Sequence, residues 1–185
     1  SITQLGVAGH SLGGHLAMAF TRLFPTVQSE ALGINGLGFR PNSNVDHLFS
    51  LLGGASSFTP TRIENLYGIA GWEFAAQNTW LLQQPGGYDG IYIESVGWES
   101  RGGHGAKQMT DSLAVYDLFA RLDSQLAAKT IPEFLSKVTP LFEAAHNKAE
   151  ESLESIVTIL GKLLFKEDLK LGIDARDDLY GALDR

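Results

Sequence analysis

Apolar positions along this chain follow two periods, one of strand type and one of helical type. Ile2, Leu5, Val7 and Ala8 form a short apolar run, and Leu16, Ala17, Ala19, Phe20 and Leu23 then recur at helical spacing. Ala31 to Leu37 predicts a second strand, Arg62 to Ala70 a third and Gly90 to Val96 a fourth. Trp72 to Gln84 reads as helical or irregular and ends at Pro85-Gly86-Gly87. Tyr88-Asp89-Gly90 reads as a turn into the last strand, with a hairpin as one form of it. Near Gly105 the composition changes from glycine-rich strands to charged helices. Thr110 to Leu126 predicts an amphipathic helix that buries Leu113, Tyr116, Leu118, Phe119, Leu122 and Leu126. Thr130-Ile131-Pro132-Glu133 predicts a helix start, and Pro140 starts or kinks the next helix. From Leu141 the spacing of Phe142, Ala145, Ala149, Leu153, Ile156, Leu160, Leu163 and Leu164 predicts one long helix to Phe165, with a short one over 174–183. The expected fold class is therefore α/β: a mostly parallel sheet over residues 1–105, followed by a helical extension over 106–185 that packs on it.

Composition narrows the function classes. A net charge of −7 without a dense basic cluster argues against nucleic acid. No apolar run reaches the roughly 18 residues that a membrane span needs. The chain has no cysteine, which fits a reducing compartment or unfolded export through a bacterial secretion channel, and excludes a disulfide-stapled domain. The first strand begins almost at Ser1, so an N-terminal part of the same protein is expected to precede it. No internal repeat or low-complexity stretch is visible, and calcium-binding glycine-aspartate nonapeptides are absent.

The chemistry-bearing stretch is Gly9-His10-Ser11-Leu12-Gly13-Gly14, set between the first strand and the first helix. That order suits a serine held at the tip of a cramped strand-to-helix turn. Residues two before and two after the serine face each other there, and Gly9 and Gly13 supply the small side chains this demands. The following helix aims its N-terminal N–H groups at a reacting carbonyl, making the Leu12 N–H the expected oxyanion donor. The alternative is an ordinary glycine-rich turn.

Val7-Ala8-Gly9-His10-Ser11-Leu12-Gly13-Gly14-His15-Leu16-Ala17 resembles the elbow of the lipase and esterase branch of the α/β hydrolases. Gly102-Gly103-His104 and the stretch from Thr110 to Phe119 resemble lipase-like segments of very large secreted bacterial proteins of the repeat-in-toxin class. The resemblance implies that residues 1–105 are the C-terminal portion of an α/β-hydrolase sheet. It further implies a Ser-His-acid triad in the chain order serine, acid, histidine. Ser11 would be the nucleophile and His104, in the glycine-rich loop after the last strand, the base. Glu73, after the third strand, would be the acid, with Asp89 and then Asp46 as alternatives. His10 and His15 flank the serine but are expected to point elsewhere, as packing residues or hydrogen-bond anchors, with His10 also a candidate at the substrate. His47 and His146 are expected at the surface.

Two apolar insertions suggest an acyl pocket or a lid that meets lipid, or else segments buried under the C-terminal helices. One carries Leu48, Phe49, Leu51, Leu52 and Phe58, the other Trp72, Phe74, Trp80, Leu81 and Leu82. Trp72 and Trp80 are the candidate substrate-binding residues. The expected activity is hydrolysis of a carboxylic ester, of lipid or another kind, with no metal, no organic cofactor and transient contact with a lipid interface. A secreted location is expected. The competing reading is a non-catalytic binding or assembly module of a large exported protein.

Overall fold

The structure is a computed structural model, and it describes residues 4–27, 29–53, 59–69, 76–93, 104–145 and 152–166. Four strands, β1 (Leu5–His10), β2 (Ser29–Ile34), β3 (Ile63–Gly68) and β4 (Gly87–Ile91), form one sheet in the order β1-β2-β3-β4. Every neighbouring pair is parallel. Helices cover both faces, so the fold is α/β. A parallel sheet places all strand C-termini at one end, the end at which open α/β sheets hold their ligands. Ser11 directly follows β1 there, and Asn35 directly follows β2.

Helix α1 (Leu12–Leu23) lies on one face. Its Ala17 and Met18 pack with Ala31 of β2, Ile63 of β3, and with Phe39 and Phe49, the latter on α2 (Ser43–Leu51). The other face is covered by helices α3 (Ala106–Leu122), α5 (Ile131–Ala145) and α6 (Ser152–Phe165), with the single turn α4 (Ser124–Ala127) between the first two. Leu66, Ile91 and Ile93 share one core with Met109, Val115 and Tyr116 of α3, Val138 and Phe142 of α5, and Leu153 and Ile156 of α6. Tyr116 pins this face: its hydroxyl accepts the Tyr92 N–H at 3.1 Å and shares a bond of 2.9 Å with Thr139.

The last strand differs from the reading of its sequence. Tyr88, Asp89 and Gly90 lie inside β4, which starts at Gly87 and is parallel to β3, so there is neither a turn nor a hairpin. The glycines mark occupied space rather than a bend. A Cβ on Gly87 would meet the Glu64 carboxylate at 2.0 Å, and one on Gly90 would meet Cγ2 of Ile69 at 2.1 Å.

The helical part differs too. Instead of one helix from Leu141 to Phe165, α5 begins at Ile131 and runs through Pro140, and α6 is a second helix packed against it. Both helices must turn an apolar stripe to the same core: Leu135, Val138 and Phe142 from one, Leu153, Ile156 and Val157 from the other. The start of α5 is the one its sequence announces. Thr130 donates its N–H and its hydroxyl to Glu133 Oε2 at 3.2 and 3.0 Å, which holds that carboxyl below the usual range. The short helix expected over 174–183 lies outside the described residues.

Candidate active site

Ser11 caps α1 with φ 55° and ψ −119°, a left-handed conformation that a non-glycine residue rarely holds. Two backbone bonds impose it. The Ser11 N–H donates to the Ile34 carbonyl at 2.9 Å, extending the β1–β2 ladder by one residue. The Ser11 carbonyl accepts the His15 N–H at 3.1 Å, the first bond of the helix. Leu12 therefore opens α1, and the N–H groups at a helix start have no intrahelical acceptor. The turn closes only because Gly9 lacks a side chain: a Cβ there would stand 2.3 Å from the Gly13 carbonyl carbon. Gly13 itself has nothing within 4 Å of its Cβ direction. The second small residue the turn requires is Gly14, where a Cβ would meet the Gly9 oxygen at 2.7 Å and the Gly36 Cα at 3.0 Å.

His104 reaches this turn from the other side of the chain. It lies immediately before Gly105, the N-cap of α3, and its Nε2 stands 2.8 Å from Ser11 Oγ. Both side chains are part-buried, neither sealed nor fully solvated. A serine hydroxyl donating to a neutral imidazole nitrogen at this distance is the pairing that proton abstraction requires.

Glu73 and Trp72 lie outside the described residues, as do Phe58, Phe74 and His146. The two alternative acids are engaged elsewhere. Asp89 occupies the sheet row of His10, Ile34 and Leu66, three strands away from the turn. Its carboxyl shares a hydrogen bond with Glu64, whose own carboxyl is pushed up to about 7 by burial first and by the Asp89 charge second. Asp46, on α2, accepts from Arg22 Nη2 at 3.1 Å. Trp80 is 84% exposed, and Leu48, Leu51 and Leu52 of the other insertion are exposed as well. Phe49 is the exception among the described apolar residues of its insertion: it is buried, not under the C-terminal helices but edge-on to Phe39 with the Arg22 guanidinium 4.1 Å above its ring. His15 is an anchor as expected, its Nδ1–H donating to the Leu37 carbonyl at 3.0 Å, and His47 is exposed.

Three features of the site carry no motif. His10 is a hydrogen-bond anchor, as expected, and its partner is specific: its Nε2 lies 2.8 Å from the His104 carbonyl oxygen. Asn65, fully buried, grips Gly36 through both amide atoms, accepting its N–H at 3.0 Å and donating to its carbonyl at 2.9 Å. Asn35, also buried and at φ 49°, accepts the Gly68 N–H at 3.1 Å. Together they lock the C-terminal ends of β2 and β3 against Gly14 and hence against the turn. The Asn35-Gly36 pair directly after a strand was the one readable signal, since asparagine tolerates the left-handed region. Among the described residues, no three His, Asp or Glu side chains gather as metal ligands would. No protein-family model, curated protein or solved structure matches the chain.

Proposed function

We propose that this chain is the catalytic part of a serine ester hydrolase of the lipase and esterase kind within the α/β hydrolases. The carrying observation is the 2.8 Å approach of His104 Nε2 to the hydroxyl of a serine held at φ 55°. On this reading His104 takes the Ser11 proton as Oγ bonds to the ester carbonyl carbon. The oxyanion is received by the Leu12 N–H and a second donor. As the carbon–oxygen bond to the leaving group breaks, His104 returns the proton to the departing alcohol. Water, deprotonated by His104 in turn, then releases the acid and restores Ser11.

With Asp89 facing Glu64 and Asp46 facing Arg22, Glu73 is our assignment for the carboxylate that orients His104. An apolar ester suits the surroundings, because Leu12 and Leu16 are exposed on the first turns of α1 and Trp80 and Leu81 on a loop at the same end of the sheet. That loop is tied down there by Gln84, whose amide donates to the Gly36 carbonyl at 3.0 Å. Lipid is the substrate class we favour, met at an interface by a secreted protein. An N-terminal part of the same protein is the partner we assign to β1, which pairs only with β2 among the described residues. That edge, unpaired on its outer side among the described residues, also favours a second reading, a binding module joined to a neighbour through it without chemistry. Hydrolysis of a p-nitrophenyl ester by the full-length protein separates the two. Loss of the rate in Ser11→Ala supports the hydrolase, and an unchanged rate rejects it.

A further inference from the structure

We propose that His10 is a positioning residue that fixes the backbone of His104, an assignment that deepens the hydrolase reading above and rests on it for its catalytic consequence. A carbonyl oxygen only accepts, so the 2.8 Å contact between His10 Nε2 and the His104 oxygen requires the His10 proton to sit on Nε2. The two rings lie side by side, centroids 5.2 Å apart and planes inclined at 49°. Two bonds thus join the end of β1 and the turn after it to the residue before the α3 N-cap. Ser11 holds the imidazole of His104, and His10 holds its main chain.

The two bonds differ in when they are available. The bond from Ser11 is consumed once Oγ becomes an ester oxygen, at the stage when His104 Nε2 must face first the leaving group and then water. The bond from His10 involves neither Oγ nor the His104 ring, so it persists through every stage. It also persists if His10 becomes cationic, because the protonated ring still donates from Nε2. His10 is the last residue of β1 and sits in register with Ile34, so its own backbone is fixed by the sheet. The sheet therefore locates the base through a side chain one residue before the nucleophile. A displacement near 1 Å is enough to cost about a hundredfold in rate.

The test uses the full chain and three substitutions. His10→Gln keeps an N–H donor at nearly the Nε2 position, His10→Met keeps length without a donor, and Ser11→Ala is the reference. The readouts are kcat and KM on p-nitrophenyl butyrate, the rate of labelling by a fluorophosphonate, and the 15N shifts of the His104 ring. Labelling forms the Ser11 Oγ–phosphorus bond, expels fluoride and passes the serine proton to His104, so it reads activation of the serine directly. We expect His10→Met to lower kcat and the labelling rate by about 10- to 100-fold with KM little changed. His10→Gln should restore most of both, and the His104 shifts should move in His10→Met and return in His10→Gln. Should His10→Met not fold, His10→Glu replaces it, matching the glutamine in length without its donor. Labelling at the wild-type rate in His10→Met, or an equal loss in His10→Gln, overturns the proposal. A wild type that hydrolyses nothing, while the His104 shifts still respond to His10→Met, rejects the hydrolase reading and leaves the tether standing.

Discussion

Gly9 and Gly13 approach so closely that a Cβ on the first would lie 2.3 Å from the carbonyl carbon of the second, yet a Cβ on the second would touch nothing. The symmetric motif hides an asymmetric need. Gly9→Ala forces backbone against backbone and should destabilise the protein by about 3 kcal/mol or more. Gly13→Ala adds a methyl to the exposed first turn of a helix and should be neutral or stabilising by up to about 1 kcal/mol. Urea midpoints of the two variants check this, and equal losses would refute the packing described.

Asn65 predicts a stability effect that comes from a neutral amide. Its amide is fully buried and serves both polar groups of Gly36. Asn65→Ala leaves the Gly36 N–H without this acceptor and opens space beside it, and should cost about 2 to 3 kcal/mol. Asn65→Asp keeps the acceptor but turns a second oxygen toward the Gly36 carbonyl, so it should not recover the loss at neutral pH. Chemical denaturation of the three proteins measures the difference.

Glu64 predicts a pH dependence of folding. Its carboxyl is pushed up to about 7 from a usual 4.5, by burial first and the Asp89 charge next, and its Oε1 is buried without a hydrogen-bond partner. The native state therefore binds the proton more tightly than the unfolded chain. That contribution is fully present below about 4.5 and is lost as pH rises through about 7. The side chain is half-buried, so solvent screening reduces the effect to about 1 kcal/mol. Glu64→Gln should remove this slope and be more stable than the wild type at pH 8. A parallel pH profile in the two proteins would show that the pair carries no such linkage.

Local periodicity made the α/β fold and the turn at Ser11 legible, because each needs only neighbours in sequence. The first three strands fall where their apolar runs lie, within a few residues. What failed was glycine read as a turn at the last strand, and Pro140 read as the start of a new helix. Gly87 and Gly90 stand in a strand, with the side chains of Glu64, Tyr67 and Ile69 lying over them. Pro140 sits within α5 because Val138 and Phe142 on either side of it are buried in one core. The pairing of Ser11 with His104 was expected from resemblance, across 93 residues. The bond from His10 was not, since a contact with a main-chain oxygen 94 residues away leaves no mark on the sequence.

Central to the account is that Ser11 and His104 act as one unit. The decisive measurement is the p-nitrophenyl butyrate rate of the full-length protein beside Ser11→Ala, His104→Ala and the double substitution. Groups that work together are grossly non-additive, so each single change should abolish turnover and the double should be no slower than either. A Ser11→Ala protein that keeps the wild-type rate, or single losses that multiply in the double, would contradict the account.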